Sequence, residues 1–228
     1  MKVLCLLLAL DLSVFASENR MTNVYRPRND TAVEHYNRGV VLIRKGKNED
    51  ARECFDAAIQ ADPKMWPAYH DRACMWLAQH KYQLAVNDFG AALRIKPGSV
   101  TSAILRTSAN FRLENYEASV AELEHVLGIF PSLYETWMAL TQRAWIRAIC
   151  ADPAFRNGQQ AVADAKRACQ LSHWKEASPI EALAAAVAET GDFDSAIRYE
   201  SQAIEVRSLF ACEIQVQNGL SAGSAAGR

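Results

Sequence analysis

The sequence has no glycine-rich loop at a spacing that would cradle a phosphate, and its 10 glycines lie scattered. This excludes phosphate binding of the loop type. An excess of one charge is also missing: 25 Lys and Arg against 26 Asp and Glu leave a net charge of −1. A nucleic-acid or anionic-membrane footprint would need a clustered basic face, so neither partner is expected. His35, His70, His80 and His125 are scattered, and no Ser-His-Asp set is readable. Cys169 and His173 stand at i, i+4, but no further ligands occur at a readable spacing. No catalytic residue, metal site or cofactor is therefore expected. Beyond residue 16 no long apolar run free of charge occurs, so no membrane span is expected in the mature chain.

What is present is a repeat. Residues 32–65, 66–99 and 100–133 align without a gap at a period of 34. Small residues recur at Gly39, Ala73 and Thr107, and again at Ala51, Ala85 and Ser119. A larger apolar residue follows at Phe55, Phe89 and Leu123, then Ala58, Ala92 and Val126, and a proline closes each copy at Pro63, Pro97 and Pro131. Spacings of three, four and seven place each stripe on one helix face. Each copy thus reads as two amphipathic helices, with turn signals at Lys45-Gly46-Lys47-Asn48 and at residues 79–81. Proline lacks an amide donor and clashes with the preceding turn, so it stops the second helix. One helical pair cannot bury its own stripe, so the copies must stack.

These matched small, large and proline positions resemble the tetratricopeptide repeat family. The third copy fits less well, with Thr107 and Ser119 where the family prefers smaller residues. The resemblance implies an all-α fold: a right-handed superhelical stack of antiparallel helix pairs, an α-α solenoid of about five units. Family ligands lie against the first helices, which line the concave face. By position that face presents Tyr36, Val40 and Ile43, then His70, Cys74 and Leu77, then Ile104, Ser108 and Phe111. Some members clamp a C-terminal carboxylate with Lys, Asn and Arg there; Tyr36, Val40, His70 and Cys74 argue against such a clamp. Arg38, Arg72 and Arg106 recur at one first-helix position, and Arg72–Asp88 and Arg106–Glu122 are expected to bridge the helices of their copies.

The register changes after residue 133. Residues 134–149 read as a first helix with Trp137, Leu140, Ala144 and Trp145 on its buried side, and residues 150–158 as a long loop. Ala161, Ala165 and Ala168 mark a late second helix. The unit 134–175 resembles an expanded repeat found late in some bacterial arrays of the family, with Phe155 and Trp174 in packing roles. A fifth repeat, 176–209, is expected to cap the stack with one face turned to water, and residues 210–228 to form a largely disordered tail. At the other end, Lys2, the apolar run 3–10 and Val14-Phe15-Ala16 read as a signal peptide over 1–16, followed by a linker over 17–31. Export to the periplasm or outside the cell follows; translation from Met21 would instead leave a cytoplasmic chain. Without Cys5 the cysteines number five, Cys54, Cys74, Cys150, Cys169 and Cys212. An odd set leaves at least one free or paired between chains. Cys150 follows one helix and Cys169 lies near the far end of its antiparallel partner, which separates them by roughly 15 Å, too far for a disulfide, so free buried thiols are expected.

The resulting reading is a non-catalytic scaffold that holds a protein or peptide segment in the concave groove. The alternative is a structural or assembly subunit of a larger envelope complex that associates through its terminal repeats. Self-association is left open.

Overall fold

In the computed structural model the described residues are 30–129 and 136–225, with side chains described over 31–129 and 136–209. The expected signal peptide, nearly all of the linker and Pro131 lie outside them. The described residues form ten α-helices and one 3-10 turn, with no strand among them. They divide into two compact units, the first ending at Ser119 and the second starting at Val120.

The first unit holds α1 (Asp30–Arg44), α2 (Asn48–Ala61), α3 (Trp66–Ala78), α4 (Tyr82–Ile95), α5 (Val100–Arg112) and the start of α6 (Tyr116–Ile129). Helices pair as α1 with α2 and α3 with α4, and each pair packs on the next first helix, α2 on α3 and α4 on α5. The repeated stripe builds the core. Ala51, Phe55 and Ala58 of the first copy cluster with Ala68 and Met75 of the second, and Ala85 and Phe89 cluster with Leu105 and Ala109 of the third. Each large ring fills the space that the small residues open, and Phe55 and Phe89 are fully buried.

The turns within the copies share one geometry. Gly46, His80 and Glu114 stand 34 residues apart, and all three have positive φ, at 71°, 59° and 62°. At each, two amides turn back on the end of the first helix: Gly46 N–H reaches Ile43 O and Lys47 N–H reaches Leu42 O. The same pair recurs from His80 and Lys81 to Leu77 and Trp76, and from Glu114 and Asn115 to Phe111 and Asn110. This is the left-handed helix stop that glycine fits best. Only the first of the three copies supplies glycine.

The second unit contains α7 (Thr136–Ile149), a 3-10 turn (Pro153–Phe155), α8 (Gly158–Leu171), α9 (Ala177–Glu189) and α10 (Phe193–Ala225). Trp137, Leu140, Ala144 and Trp145 are buried in α7, as the stripe predicts. The stretch expected to be a plain loop instead carries the 3-10 turn, capped by Asp152, whose carboxylate accepts from the Ala154 amide. Asn157 does more than turn the chain: its side chain caps α8 by accepting from the Gln160 amide. Trp174 stacks on Tyr199 with ring centroids 6.5 Å apart. The helix begun at Phe193 runs on to Ala225, past the boundary at 209 and into the tail expected to be disordered. Residues 210–218 hold neither proline nor glycine to stop it. Its exposed residues include Phe193, Ile197 and Ile204 beside Asp194, Arg198, Ser201, Glu205 and Arg207.

Candidate functional site

The expected binding residues come from α1, α3 and α5, the first helices of three consecutive copies in the first unit. Three of them take part in hydrogen bonds to neighbouring side chains. Tyr36 Oη donates to Asp71 Oδ2 at 2.8 Å, and the next residue along α3, His70, places Nδ1 2.8 Å from Ser102 Oγ. The other ring nitrogen of His70 lies 3.7 Å from Cys74 Sγ, and Ser102 Oγ in turn is 2.8 Å from Ser99 Oγ. The His70 ring packs edge-on to Phe89, with centroids 5.6 Å apart, and Tyr36 lies 5.8 Å from Phe55. A polar chain therefore crosses three copies directly above the two core rings.

Burial sets the charge states in this chain. Burial lowers the pKa of His70 below its ordinary value, with nearby Asp71 working the other way, so the ring favours the neutral form. Burial likewise raises the carboxyl of Asp71, against the pull of His70 and the Tyr36 hydroxyl. The Cys74 thiol is pushed up by burial and by Asp71, so it stays protonated. No Lys or Arg among the described residues forms an ion pair with Asp71.

The other expected residues differ in access. Val40 is half-buried against the first core cluster and Leu77 against the second. Ile43 is exposed, and Phe111 packs against Tyr116 with tilted rings whose centroids are 5.4 Å apart. Ser108 turns its hydroxyl inward to Ile104 O at 3.3 Å. Ile104 departs from expectation: at 2% exposure it has no surface to offer a ligand. It sits in a helix buried around most of its circumference, where Ser102, Ala103, Leu105, Thr107, Ala109 and Asn110 are also buried. Asp71 and Ser102 were not singled out from sequence. A signal for Asp71 exists in the aligned copies, because Asn37, Asp71 and Leu105 share one position and only Asp71 carries charge there.

The predicted Arg72–Asp88 bridge is present and bidentate, with Nε to Oδ2 and Nη2 to Oδ1 both at 2.7 Å. It also reaches further than its own copy. Arg72 Nη1 donates to Asp56 of α2 at 2.6 Å, and Trp76 Nε1 donates to Asp88 at 3.0 Å. Burial works against the charge of Arg72, but the two carboxylates outweigh it and hold its pKa above the ordinary value. The Arg106–Glu122 bridge would join residues of the two units and stays an expectation. In the second unit the same chemistry recurs: Arg143 grips Asp164 at 2.8 and 2.9 Å, and Arg147 donates to it as well.

Cys169, of the Cys169–His173 pair, is fully buried, and burial pushes its thiol up to about 12. A thiol so placed is a poor source of thiolate. Cys54, Cys74, Cys150 and Cys169 are all free. Among the described residues no helix is long and apolar enough to cross a membrane.

Helix pairs of this length, stacked with small residues facing large ones, define an all-α helical repeat protein. The tetratricopeptide repeat family model matches residues 32–65. The chain is 28% identical over 123 residues to the STIP1 homolog protein of Dictyostelium discoideum, a match that covers 54% of this chain and 22% of that protein. Among solved structures it is similar to MamA of Desulfovibrio magneticus RS-1, with a TM-score of 0.60 and 15% identity over 80% of this chain and 98% of that one. It is also similar to a thermophilic TPR protein of Thermus thermophilus, with a TM-score of 0.56 and 18% identity over 81% and 99% of the two chains. Residues 32–65 are thus a tetratricopeptide repeat, set in an all-α helical repeat stack. The chain spans about a fifth of the length of the curated relatives it matches.

Proposed function

We propose that the chain is a non-catalytic scaffold that binds an apolar segment of another protein against the first-helix face of its first unit. The observation that carries this reading is the composition of that face. Tyr36, Val40, His70, Cys74, Leu77 and Phe111 are each only partly buried, and they present rings and aliphatic groups in place of fixed cations. Partly buried apolar surface of this kind suits helix-in-groove recognition. Asp71 refines the class of ligand. A segment with one basic side chain would favour the charged form of Asp71 against the burial that raises its carboxyl, whereas a free carboxylate would oppose it. The relatives are consistent with a scaffold role, since two of them are named as co-chaperone or DnaJ-type proteins.

The test is binding to an immobilised library of amphipathic peptides that differ in basic content and in amidated or free C-termini. The wild-type chain is expected to retain apolar peptides with a basic residue. The Tyr36→Ala/Phe111→Ala double variant is expected to lose at least tenfold in affinity while keeping its helical circular dichroism, because truncated aromatic anchors cost about 1–2 kcal/mol or more each. Equal binding by the two proteins, or a preference for free carboxylates, would overturn the proposal.

A further inference from the structure

Asp71 stands at a position that the next copy gives to its core. It shares one place in the aligned repeats with Asn37 and Leu105, and Leu105 is fully buried. Asp71 is half-buried rather than sealed off, and it borders the first-helix face through its bond to Tyr36. A carboxylate held at such a depth normally takes several donors or a cation. Among the described residues Asp71 receives one hydrogen bond, from Tyr36 Oη at 2.8 Å.

The charged groups around it are committed elsewhere. On the same helix, Arg72 grips Asp88 of α4 and reaches Asp56 of α2. Arg106 of α5 lies over α4, where a Cβ at Gly90 would be 3.5 Å from its Nη1. His35 and Arg38 of α1 line the cleft toward α2 with Asp50 and Glu53. Lys96, at the end of α4, acts on His70. Beside Asp71 this leaves the His70 ring, which burial keeps neutral, and the Cys74 thiol, which burial keeps protonated. Neither supplies a fixed positive charge. Burial, opposed by His70 and Tyr36, accordingly holds the carboxyl of Asp71 above its ordinary value. A basic side chain set against Tyr36 and His70 would supply the missing cation. The carboxyl would then give its proton to the solvent, and the carboxylate formed would pair with the ammonium or guanidinium.

We propose that docking of a basic side chain on the first-helix face is coupled to the release of a proton from Asp71, so that the chain holds its partner more tightly as pH rises. This inference rests on the scaffold reading of the same face and adds its regulation. By linkage, a ligand that binds the ionised acid must displace a proton wherever the free acid holds one. Affinity therefore rises by up to about tenfold per pH unit between the ordinary carboxyl value and the raised one, and levels off above it.

The test uses the full chain and two capped peptides without other titrating groups: the tightest lysine-containing peptide of the amphipathic library, and its analogue with norleucine at that lysine. Calorimetric titrations from about pH 4.5 to about pH 8, in buffers of different ionisation heat, read affinity and proton release together. The lysine peptide is expected to gain about tenfold in affinity as pH rises and to release protons at the acid end. The norleucine peptide is expected to give a flat profile. Asp71→Asn should flatten the profile of the lysine peptide with unchanged helical circular dichroism. Tyr36→Phe keeps the ring but removes the hydroxyl that favours the carboxylate, so it should move the rise to higher pH. A rise that survives Asp71→Asn overturns the proposal and assigns the proton to a neighbour such as His70. Retention of both peptides with flat profiles overturns this inference alone. Retention of neither peptide at any pH overturns the scaffold reading, and this inference with it.

Discussion

Gly39 marks the closest approach in the first repeat. A Cβ built there would lie 2.7 Å from Cε1 of Phe55, and that ring is fully buried and has nowhere to go. At the matched position of the second repeat Ala73 is accommodated beside Phe89. Gly39→Ala is therefore expected to destabilise despite the better helix propensity of alanine. Overpacking costs about 1–3 kcal/mol against a gain of about 1 kcal/mol, for a net loss of about 1 kcal/mol, read as a lower thermal midpoint. The sequence marks Gly39 as a small position in the stripe, but the ring geometry that makes glycine obligatory there emerges only from packing. Glu114 shows the reverse case. It is an exposed non-glycine residue held at φ 62°, where glycine would relieve the left-handed strain. Glu114→Gly is expected to stabilise by roughly 0.5 kcal/mol, the relief being partly offset by the greater freedom of glycine in the unfolded chain. Chemical denaturation of the two variants beside wild type measures both shifts. The sequence marks turns at 45–48 and 79–81 by their polar and glycine content, and the hydrogen bonds show why the stops at 80 and 114 hold without glycine.

At the scale of the helices, Arg72 joins α2, α3 and α4. Exposed ion pairs contribute about 0–1 kcal/mol each, the weight the sequence alone gives this one. The structure raises it, because Asp88 is buried and Arg72 keeps little exposure. Removing one partner of such a pair strands the other, at a cost of about 3 kcal/mol. Arg72→Met is expected to lose about that much, and Arg72→Met/Asp88→Leu to recover most of it, leaving Asp56 with Arg52 as a partner at 2.7 Å. Urea unfolding of the single and double variants measures the coupling; additive losses would show that the pair is not coupled. The Arg72–Asp88 bridge is legible in sequence because both residues recur by type and register. Asp56 is not, since it stands two residues past the aligned position and reaches across the boundary between copies.

At the scale of the whole chain, the period of 34 residues carries the fold class, the helix pairs and most of the core, because each copy repeats the same packing problem. The expanded repeat is legible as a shift in register, while its 3-10 turn and the caps at Asp152 and Asn157 depend on local hydrogen bonds that spacing does not encode. The proposed binding face is legible only in part. Helical position selects Tyr36, His70 and Cys74, yet burial removes Ile104 and tertiary contact brings in Asp71 and Ser102. The reading of residues 1–16 as a signal peptide concerns residues outside those described, and we propose export on the sequence pattern alone. Mass spectrometry of the chain purified from its native source is expected to find an N-terminus at Ser17; one at Met21 would place the protein in the cytoplasm, and one at Met1 would show that the segment is not cleaved.

The bond from Arg72 back to Asp56 has a mechanical meaning. In a stack where neighbours meet only through apolar contacts, a load applied along the array can peel repeats away singly, since apolar surfaces separate with little directional resistance. A buried charge shared across the first and second copies resists that peeling until both carboxylates are released. Under tension these two copies should give way in one larger extension event, and Arg72→Met should split that event into two smaller ones at lower force.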